Sequence, residues 1–207
     1  VVLSKKSNSI NMVINSLKQL QNRGYDSFGI SSFINNKLEV KKIVCSNENY
    51  NIERNDSIID DTFDIFSNNI KHYNSEITIG HTRWATHGAI SHDNTHPHQS
   101  YTEVFNLVHN GIIENYKEIK NRMEVSGCHF YSDTDSEVIA NLIDFHYTNC
   151  KLDRMNDSTR HDIISHAILL AIQELEGTYG LAIQCIYDPD SVYLIRNGSP
   201  LLIGEND

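Results

Sequence analysis

Between Gly80 and Gly111 the sequence gathers side chains that recognise and polarise small molecules. The string Gly80-His-Thr-Arg-Trp-Ala-Thr-His-Gly88 holds Thr82, Arg83, Trp84, Thr86 and His87. His96-Pro97-His98 follows, and His109-Asn110-Gly111-Ile112-Ile113-Glu114-Asn115 closes the stretch. Arg83 offers a planar fork that matches a carboxylate, because two parallel N–H···O bonds fix position and orientation together. Asn110-Gly111 follows the apolar run Val104-Phe105-Asn106-Leu107-Val108, which reads as a buried strand. An Asn amide and a Gly backbone N–H at a strand end make a donor pair for an oxyanion, since Gly lets the backbone approach a ligand closely. Together these groups point to acyl transfer on an amino acid. Each also has a plainer reading: an Arg after a strand is usually a solvated charge, and Asn-Gly is usually a hairpin turn.

The flanking elements must bring these residues together. Val1-Val2-Leu3 reads as the tail of a strand. Ile10, Val13, Ile14, Leu17 and Leu20 recur at helical spacing, with Ser9 as the expected N-cap and Gly24 as the stop. Arg23 to Ser27 is a polar turn, in which Arg23 and Asp26 can pair and cap. Phe28–Phe33 and Leu38–Val44 read as a hairpin turned by Asn35-Asn36. Asn47 to Ser57 reads as a surface loop. Ile59, Phe63, Phe66 and Ile70 mark a helix face whose acids, Asp56, Asp60, Asp61 and Asp64, suit an N-terminal dipole. Ile77–Gly80 is a strand that delivers the recognition loop.

Downstream, Tyr116–Val125 reads as a surface helix stopped by Gly127. Thr134-x-x-Glu137 resembles a capping box heading a helix whose apolar face is Val138, Ile139, Leu142, Ile143 and His146. Asp135 at that N-terminus reads first as an end-cap or dipole partner. Asp144 to Arg160 reads as a connection, and Ile163 to Leu175 as a further helix stopped by Gly177. Tyr179–Ile186, the turn Tyr187-Asp188-Pro189-Asp190 and Val192–Arg196 read as a hairpin, followed by Pro200-Leu201-Leu202-Ile203.

The strings Arg23-Gly-Tyr-Asp-Ser27, His81–Gly88, His96-Pro-His98, His109–Asn115 and Ser132-Asp-Thr-Asp-Ser-Glu137 occur in the order found in class II glutamine amidotransferases, with Gly198-Ser-Pro-Leu201 as a later match. The chain resembles the glutaminase half of the glutamine–fructose-6-phosphate aminotransferase family across almost its whole length. The Trp84 and Ile112-Ile113-Glu114 spellings favour that sugar-aminating branch. The resemblance implies an α+β fold: a four-layer αββα sandwich of the N-terminal-nucleophile hydrolase type, truncated at both ends, in one domain over residues 1–207. It implies hydrolysis of L-glutamine to glutamate and ammonia, with Arg83 on the substrate α-carboxylate and Asp135 on its α-ammonium. Asn110 and Gly111 would form the oxyanion hole, Thr86 and His87 would line the pocket, and Arg23 would support the nucleophile. Trp84 would gate the ammonia path, although as the only Trp it could equally be a core residue.

The family nucleophile is an N-terminal Cys whose own α-amino group acts as base, a pairing suited to an amine with a pKa near 8. The sequence begins with Val1, so the expectation places a Cys-Gly-Ile opening a few residues before it, and the 207 residues alone are expected to be inactive. The remaining strands and the sugar-phosphate isomerase domain would lie beyond Asp207 in the full-length protein, which the resemblance implies is a homo-oligomer. A catalytically inactive glutamine-binding or partner-docking module is the alternative.

Composition agrees with a core-forming protein of this kind. At 207 residues and 39% hydrophobic, the chain can bury about 70% of its unfolded surface. A net charge of −10 argues against nucleic-acid or anionic-membrane surfaces, which need clustered Lys and Arg. Cys45, Cys128, Cys150 and Cys185 show no paired spacing and read as reduced thiols of a cytoplasmic protein. No apolar run approaches the ~18 residues of a membrane span. A metal hydrolase on His87, His92, His96 and His98 is the weaker reading, because His96-Pro97-His98 holds two imidazoles about a rigid ring without helical His-x-x-x-His geometry. No cofactor and no metal are expected.

Overall fold

Among the described residues the elements run in the order β1 (Val2–Leu3), α1 (Ser9–Gln19), β2 (Ser27–Ile34), β3 (Lys37–Val44), α2 (Asp56–Ile70), β4 (Ile77–Arg83), β5 (His98–Gln99), β6 (Phe105–Ile113), α3 (Tyr116–Val125), α4 (Asp135–Leu152), α5 (Arg160–Glu174), β7 (Gly177–Cys185) and β8 (Asp188–Asn197). This computed structural model describes residues 2–3, 8–20, 22, 24, 26–45, 56–84, 89–152 and 159–204. Arg23, the Asn47–Asn55 part of the expected loop, and the Thr86 and His87 positions lie outside the described residues.

Two four-stranded antiparallel sheets result, in the orders β1-β4-β2-β3 and β5-β6-β7-β8. On the outer face of the first, Ile10, Val13, Ile14 and Leu17 of α1 meet Phe28 and Ile30 of β2 and Phe63, Phe66 and Ile70 of α2. Phe28 stacks on Phe63 at 3.8 Å between ring centroids and meets Phe66 edge-on at 5.1 Å. Deleting such a ring costs about 3–5 kcal/mol, so Phe28 is the key contact of this layer. On the outer face of the second sheet, α4 and α5 bury Val138, Ile139, Leu142, Ile143, Ala167 and Ala171 against Phe105, Leu107, Leu181 and Ile183. Between the sheets lie Ile79, Val108 and Ala182, with a polar clasp in which Ser31 Oγ donates to Gln184 Oε1 at 2.7 Å and accepts from Asn106 Nδ2 at 2.8 Å. The layers are helix, sheet, sheet, helix.

Several local expectations hold. Asn35 and Asn36 take φ of 50° and 63°, the positive pair that a two-residue hairpin turn needs. Gly127 ends α3 at φ 88°.

Others change. The N-cap of α1 is Asn8, whose side chain accepts from the Ile10 N–H; Ser9 is buried instead, donating its hydroxyl to the Ser75 carbonyl at 2.7 Å. The helix ends at Gln19, before Gly24, whose role is close approach: a Cβ there would lie 2.8 Å from the Thr82 and Arg83 backbone. Residues 144–152 are helix rather than connection, because Tyr147 and Cys150 continue the buried stripe past Ile143. The last hairpin turns at Ile186-Tyr187, and Asp188-Pro189-Asp190 joins β8 because Cys185 pairs directly with Asp188.

Candidate active site

Strands β4 and β6 come from different sheets and end on the same side of the sandwich, where a cleft of about 670 Å³ opens between them. Arg83, Trp84, Asn110, Gly111 and Asp135 all line it. Five residues from three separate motifs therefore line one cavity.

Arg83 is the last residue of β4, paired with Ser27 of β2, and only 6% exposed. Its Nη1 donates to the Ala89 carbonyl at 3.4 Å. Burial draws the guanidinium below its ordinary range, and the Asp26 carboxylate works against that. A guanidinium keeps its charge even so, and charge held away from water favours an anionic partner. Arg83 is not the solvated charge of the plainer reading. Trp84, in contrast, is 58% exposed at the mouth of the cleft, so it is not a core residue.

Asn110-Gly111 is not a turn, nor does it end a strand: both residues lie inside β6, opposite Gly180 and Tyr179 of β7. Gly111 takes φ 150°, and a Cβ on it would stand 2.0 Å from the Thr178 carbonyl oxygen, so only glycine fits. Ser199 Oγ donates to the Asn110 carbonyl at 3.0 Å. Strand alternation sets the direction of the amides. The Glu114 N–H donates toward β7, to the Glu176 carbonyl, whereas the Ile113 N–H points the other way, to Asp135 Oδ2 at 2.9 Å. Two residues upstream, the Gly111 N–H falls on that same side. Because β5 covers β6 only at Asn106 and Leu107, no strand pairs with this edge beyond Leu107 among the described residues, although the Asp135 carboxylate takes the Ile113 N–H and the His81 ring bonds the His109 backbone. This edge faces the cleft.

Asp135 is the first residue of α4, and its carboxylate holds the β6 edge rather than capping its own helix. The cap is Thr134, whose Oγ1 accepts the Glu137 N–H at 3.4 Å. The expected capping box is half formed. The Glu137 carboxylate reaches further back, accepting from the Tyr131 and Ser132 N–H groups and from Ser132 Oγ at 2.6–2.9 Å. That buried carboxylate fixes the loop entering α4 and so the position of Asp135.

The cleft is also lined by His81, His96, His109 and Ser136, a group that spacing in the sequence does not assemble. The His81 and His96 rings lie 4.2 Å apart, His98 packs edge-on to His96 at 4.6 Å, and Ser136 Oγ is 3.0 Å from both His96 Nε2 and His109 Nδ1. Burial lowers all four imidazoles, His81 to about 4, so they are neutral at pH 7. They come from β4, β5, β6 and the loop before β5, and no single-strand period could have revealed them. Of the residues of the metal reading, His92 is exposed beside Asp93 at 3.7 Å, His96 and His98 are buried, and His87 lies outside the described residues. Among the described residues, no group of three His, Cys, Asp or Glu could hold a metal ion.

None of the cysteines lines this cleft. Burial pushes the thiols of Cys45 and Cys185 up to about 12 and that of Cys128 to about 11, while Cys150 packs in the core under α4. Among the described residues no helix is long and apolar enough to cross a membrane.

The glutamine amidotransferase domain family matches residues 63–156. Over 200 residues, 97% of its length, the chain is 36% identical to a glutamine–fructose-6-phosphate aminotransferase (isomerizing) of Clostridium perfringens, covering 28% of that protein. The protein of the same name from Buchnera aphidicola is 41% identical over 199 residues, 96% of this chain and 29% of the relative. The chain thus spans less than a third of the length of these curated relatives. Among solved structures, glutamine phosphoribosylpyrophosphate amidotransferase from B. subtilis matches with a TM-score of 0.62 over 89% of this chain and 34% of that one, at 23% identity. The allosteric regulatory enzyme of purine biosynthesis matches at 0.60 over 84% and 32%, with 25% identity. The αββα sandwich is accordingly of the N-terminal-nucleophile hydrolase type. Residues 63–156 thus carry the glutamine amidotransferase domain match, and the fold, the converging motifs and the relatives agree with it.

Proposed function

We propose that the cleft binds L-glutamine and hydrolyses its side-chain amide to glutamate and ammonia. The observation that carries this reading is the convergence of a buried guanidinium, a carboxylate and the β6 backbone edge beyond β5 on one cavity. Arg83 takes the α-carboxylate and Asp135 the α-ammonium, which orients the side chain toward Asn110 and Gly111. There the Asn110 amide and the Gly111 N–H stabilise the oxyanion. Glutamine contact is further assigned to Thr86 and His87, support of the nucleophile to Arg23, and gating of the path by which ammonia leaves to Trp84.

A thiolate attacks the amide carbon to give a tetrahedral oxyanion. Its collapse breaks the C–N bond, the leaving nitrogen takes the proton first removed from the thiol, and water then hydrolyses the thioester. The register Leu3↔Ile77 and Val2↔Thr78 favours a source for that thiol. A strand segment added before Val1 and continued antiparallel in that register would run along β4 past Gly80 toward Arg83, so an N-terminal Cys with its own amine as base would stand at the cleft. The name of the relatives, glutamine–fructose-6-phosphate aminotransferase (isomerizing), supports extending the proposal: the ammonia is proposed to aminate fructose 6-phosphate to glucosamine 6-phosphate on a sugar-phosphate isomerase domain of a longer cytoplasmic homo-oligomer.

Calorimetry on this chain tests substrate orientation. L-glutamine is compared with 5-amino-5-oxopentanoate, which lacks the α-ammonium, and 4-aminobutanamide, which lacks the α-carboxylate. Each deletion should weaken binding, and Arg83→Ala should erase the difference between L-glutamine and 4-aminobutanamide alone. Equal affinities for all three in the unsubstituted chain would refute the orientation.

A further inference from the structure

Ser136 Oγ touches three groups at once: His96 Nε2 at 3.0 Å, His109 Nδ1 at 3.0 Å and Asp135 Oδ1 at 3.3 Å. Ser136, His96 and His109 are 2%, 7% and 3% exposed, so they are almost wholly buried beside the cleft they line, with only the Asp135 carboxylate partly exposed to it. A hydroxyl has one proton to give and two lone pairs that accept, and three partners fill that capacity.

The proton inventory has one best solution. Asp135 can only accept, and a hydrogen bond to a carboxylate is stronger than one to a neutral ring nitrogen, so the Ser136 O–H points to Asp135 Oδ1. Both imidazoles then donate to Ser136 Oγ, which places the His96 proton on Nε2 and the His109 proton on Nδ1. The opposite nitrogens agree: His96 Nδ1 and His109 Nε2 are buried without a hydrogen-bond partner among the described residues. A bare acceptor tolerates that better than an N–H does. The Thr178 carbonyl faces the His109 ring and opposes the effect of burial, but no bond of acceptable geometry reaches Nε2. His109 Nδ1 also lies 3.8 Å from Asp135 Oδ1, where its proton is electrostatically favoured.

We infer that Ser136 is a positioning residue: its hydroxyl fixes the tautomers of His96 and His109 and, with the Ile113 N–H on Oδ2, locks the Asp135 carboxylate in the orientation that receives the substrate ammonium. The last part rests on the proposed role of Asp135; the tautomers do not. With one oxygen tied to Ile113 and the other to Ser136, the carboxylate plane cannot rotate, and the remaining lone pairs face the cleft. The His109 ring is held by the same hydroxyl, next in sequence to Asn110. One side chain therefore couples ammonium recognition to the strand that carries the oxyanion donors.

Nitrogen-15 NMR of the ring nitrogens of His96 and His109, recorded on this chain without ligand, reads the tautomers directly. The expected result is Nε2–H on His96 and Nδ1–H on His109 in the unsubstituted chain and in Ser136→Thr, which keeps the hydroxyl, with at least one ring changing tautomer or becoming mixed in Ser136→Ala. Nε2–H on His109 of the unsubstituted chain overturns the inference. Glutamine titrations separate the second step: Ser136→Ala should bind L-glutamine about tenfold more weakly, while its affinity for 5-amino-5-oxopentanoate, which lacks the ammonium, stays unchanged. Correct tautomers with equal loss for both ligands would overturn the role toward Asp135 alone. If Ser136→Ala does not fold, the NMR of the unsubstituted chain and the glutamine affinity of Ser136→Thr, expected to stay within about twofold, decide the matter.

Discussion

The Asp135 carboxylate accepts the Ile113 N–H at 2.9 Å, tying the first residue of α4 to the strand that carries Asn110 and Gly111. The proposed ammonium-binding group and the strand carrying the proposed oxyanion donors are therefore held by one contact. Substrate binding and chemistry need not rely on loop motion to come into register.

Arg83→Ala should weaken glutamine binding by about 2–5 kcal/mol, because it removes one partner of a buried charge-assisted contact. Arg83→Lys should recover little of this, since an ammonium cannot form the bidentate fork. Glutamine affinities of both variants are the check, and affinity unchanged in Arg83→Ala would remove Arg83 from the site.

Asn110→Ala should lower turnover by roughly a hundred- to a thousand-fold with little change in glutamine affinity, as for other lost oxyanion donors. The reverse pattern would make Asn110 a ground-state contact. Gly111→Ala fails differently. Its Cβ would meet the Thr178 carbonyl oxygen at 2.0 Å, and φ of 150° disfavours any side chain, so the fold should lose about 3 kcal/mol or more. Denaturant unfolding distinguishes the two variants.

Stability should fall as pH drops below about 6.5. His81, His96, His98 and His109 are all lowered in the fold from an ordinary value of 6.5, His81 to about 4. Their contribution is complete above 6.5 and is lost as pH falls toward the folded values, because the unfolded chain then binds protons that the folded one refuses. Facing groups reinforce the effect: the histidines repel one another, Lys42 opposes charge on His96 and His98, and Arg83 opposes it on His81 and His98, while Asp135 counters it at His109. Each histidine contributes on the order of 1.4 kcal/mol per pH unit in that window. Unfolding free energies at pH 7.5 and 5.5 check this, and a higher value at pH 5.5 would contradict it.

Much of this was legible in the sequence where one element carried its own signal. The Ile10–Leu17 stripe, the Asn35-Asn36 turn and the Val138–Ile143 face each follow from spacing alone. Convergence of Arg83, Asn110 and Asp135 came from the order of motifs, and the cleft agrees with it. What spacing could not show depended on tertiary contacts. Gly24 looked like a helix stop because its true constraint, the Thr82–Arg83 backbone, is remote in sequence. Asn110-Gly111 reads as a strand end, with a turn as the plainer alternative, because nothing local reveals that β7 pairs through it. Asp144–Leu152 looked polar because Tyr147 and Cys150 carry its buried face in place of aliphatic residues. The histidine cluster and Ser136 escaped notice since four elements and a loop supply them. Ser199 lay within a quoted motif, yet only the fold links it to the Asn110 carbonyl.

Glutamate release from L-glutamine tests the central claim most directly. Two chains are compared: the 207 residues as given, and the same sequence preceded by a strand segment opening on an N-terminal Cys. Cys45, Cys128, Cys150 and Cys185 do not line the cleft, and at pH 8 on the order of one in a thousand or fewer of the Cys45 and Cys185 thiols would be ionised. The account predicts glutamate from the Cys-led chain, lost again in its Asn110→Ala variant, and none from the chain that begins at Val1. Equal release from both chains would contradict it.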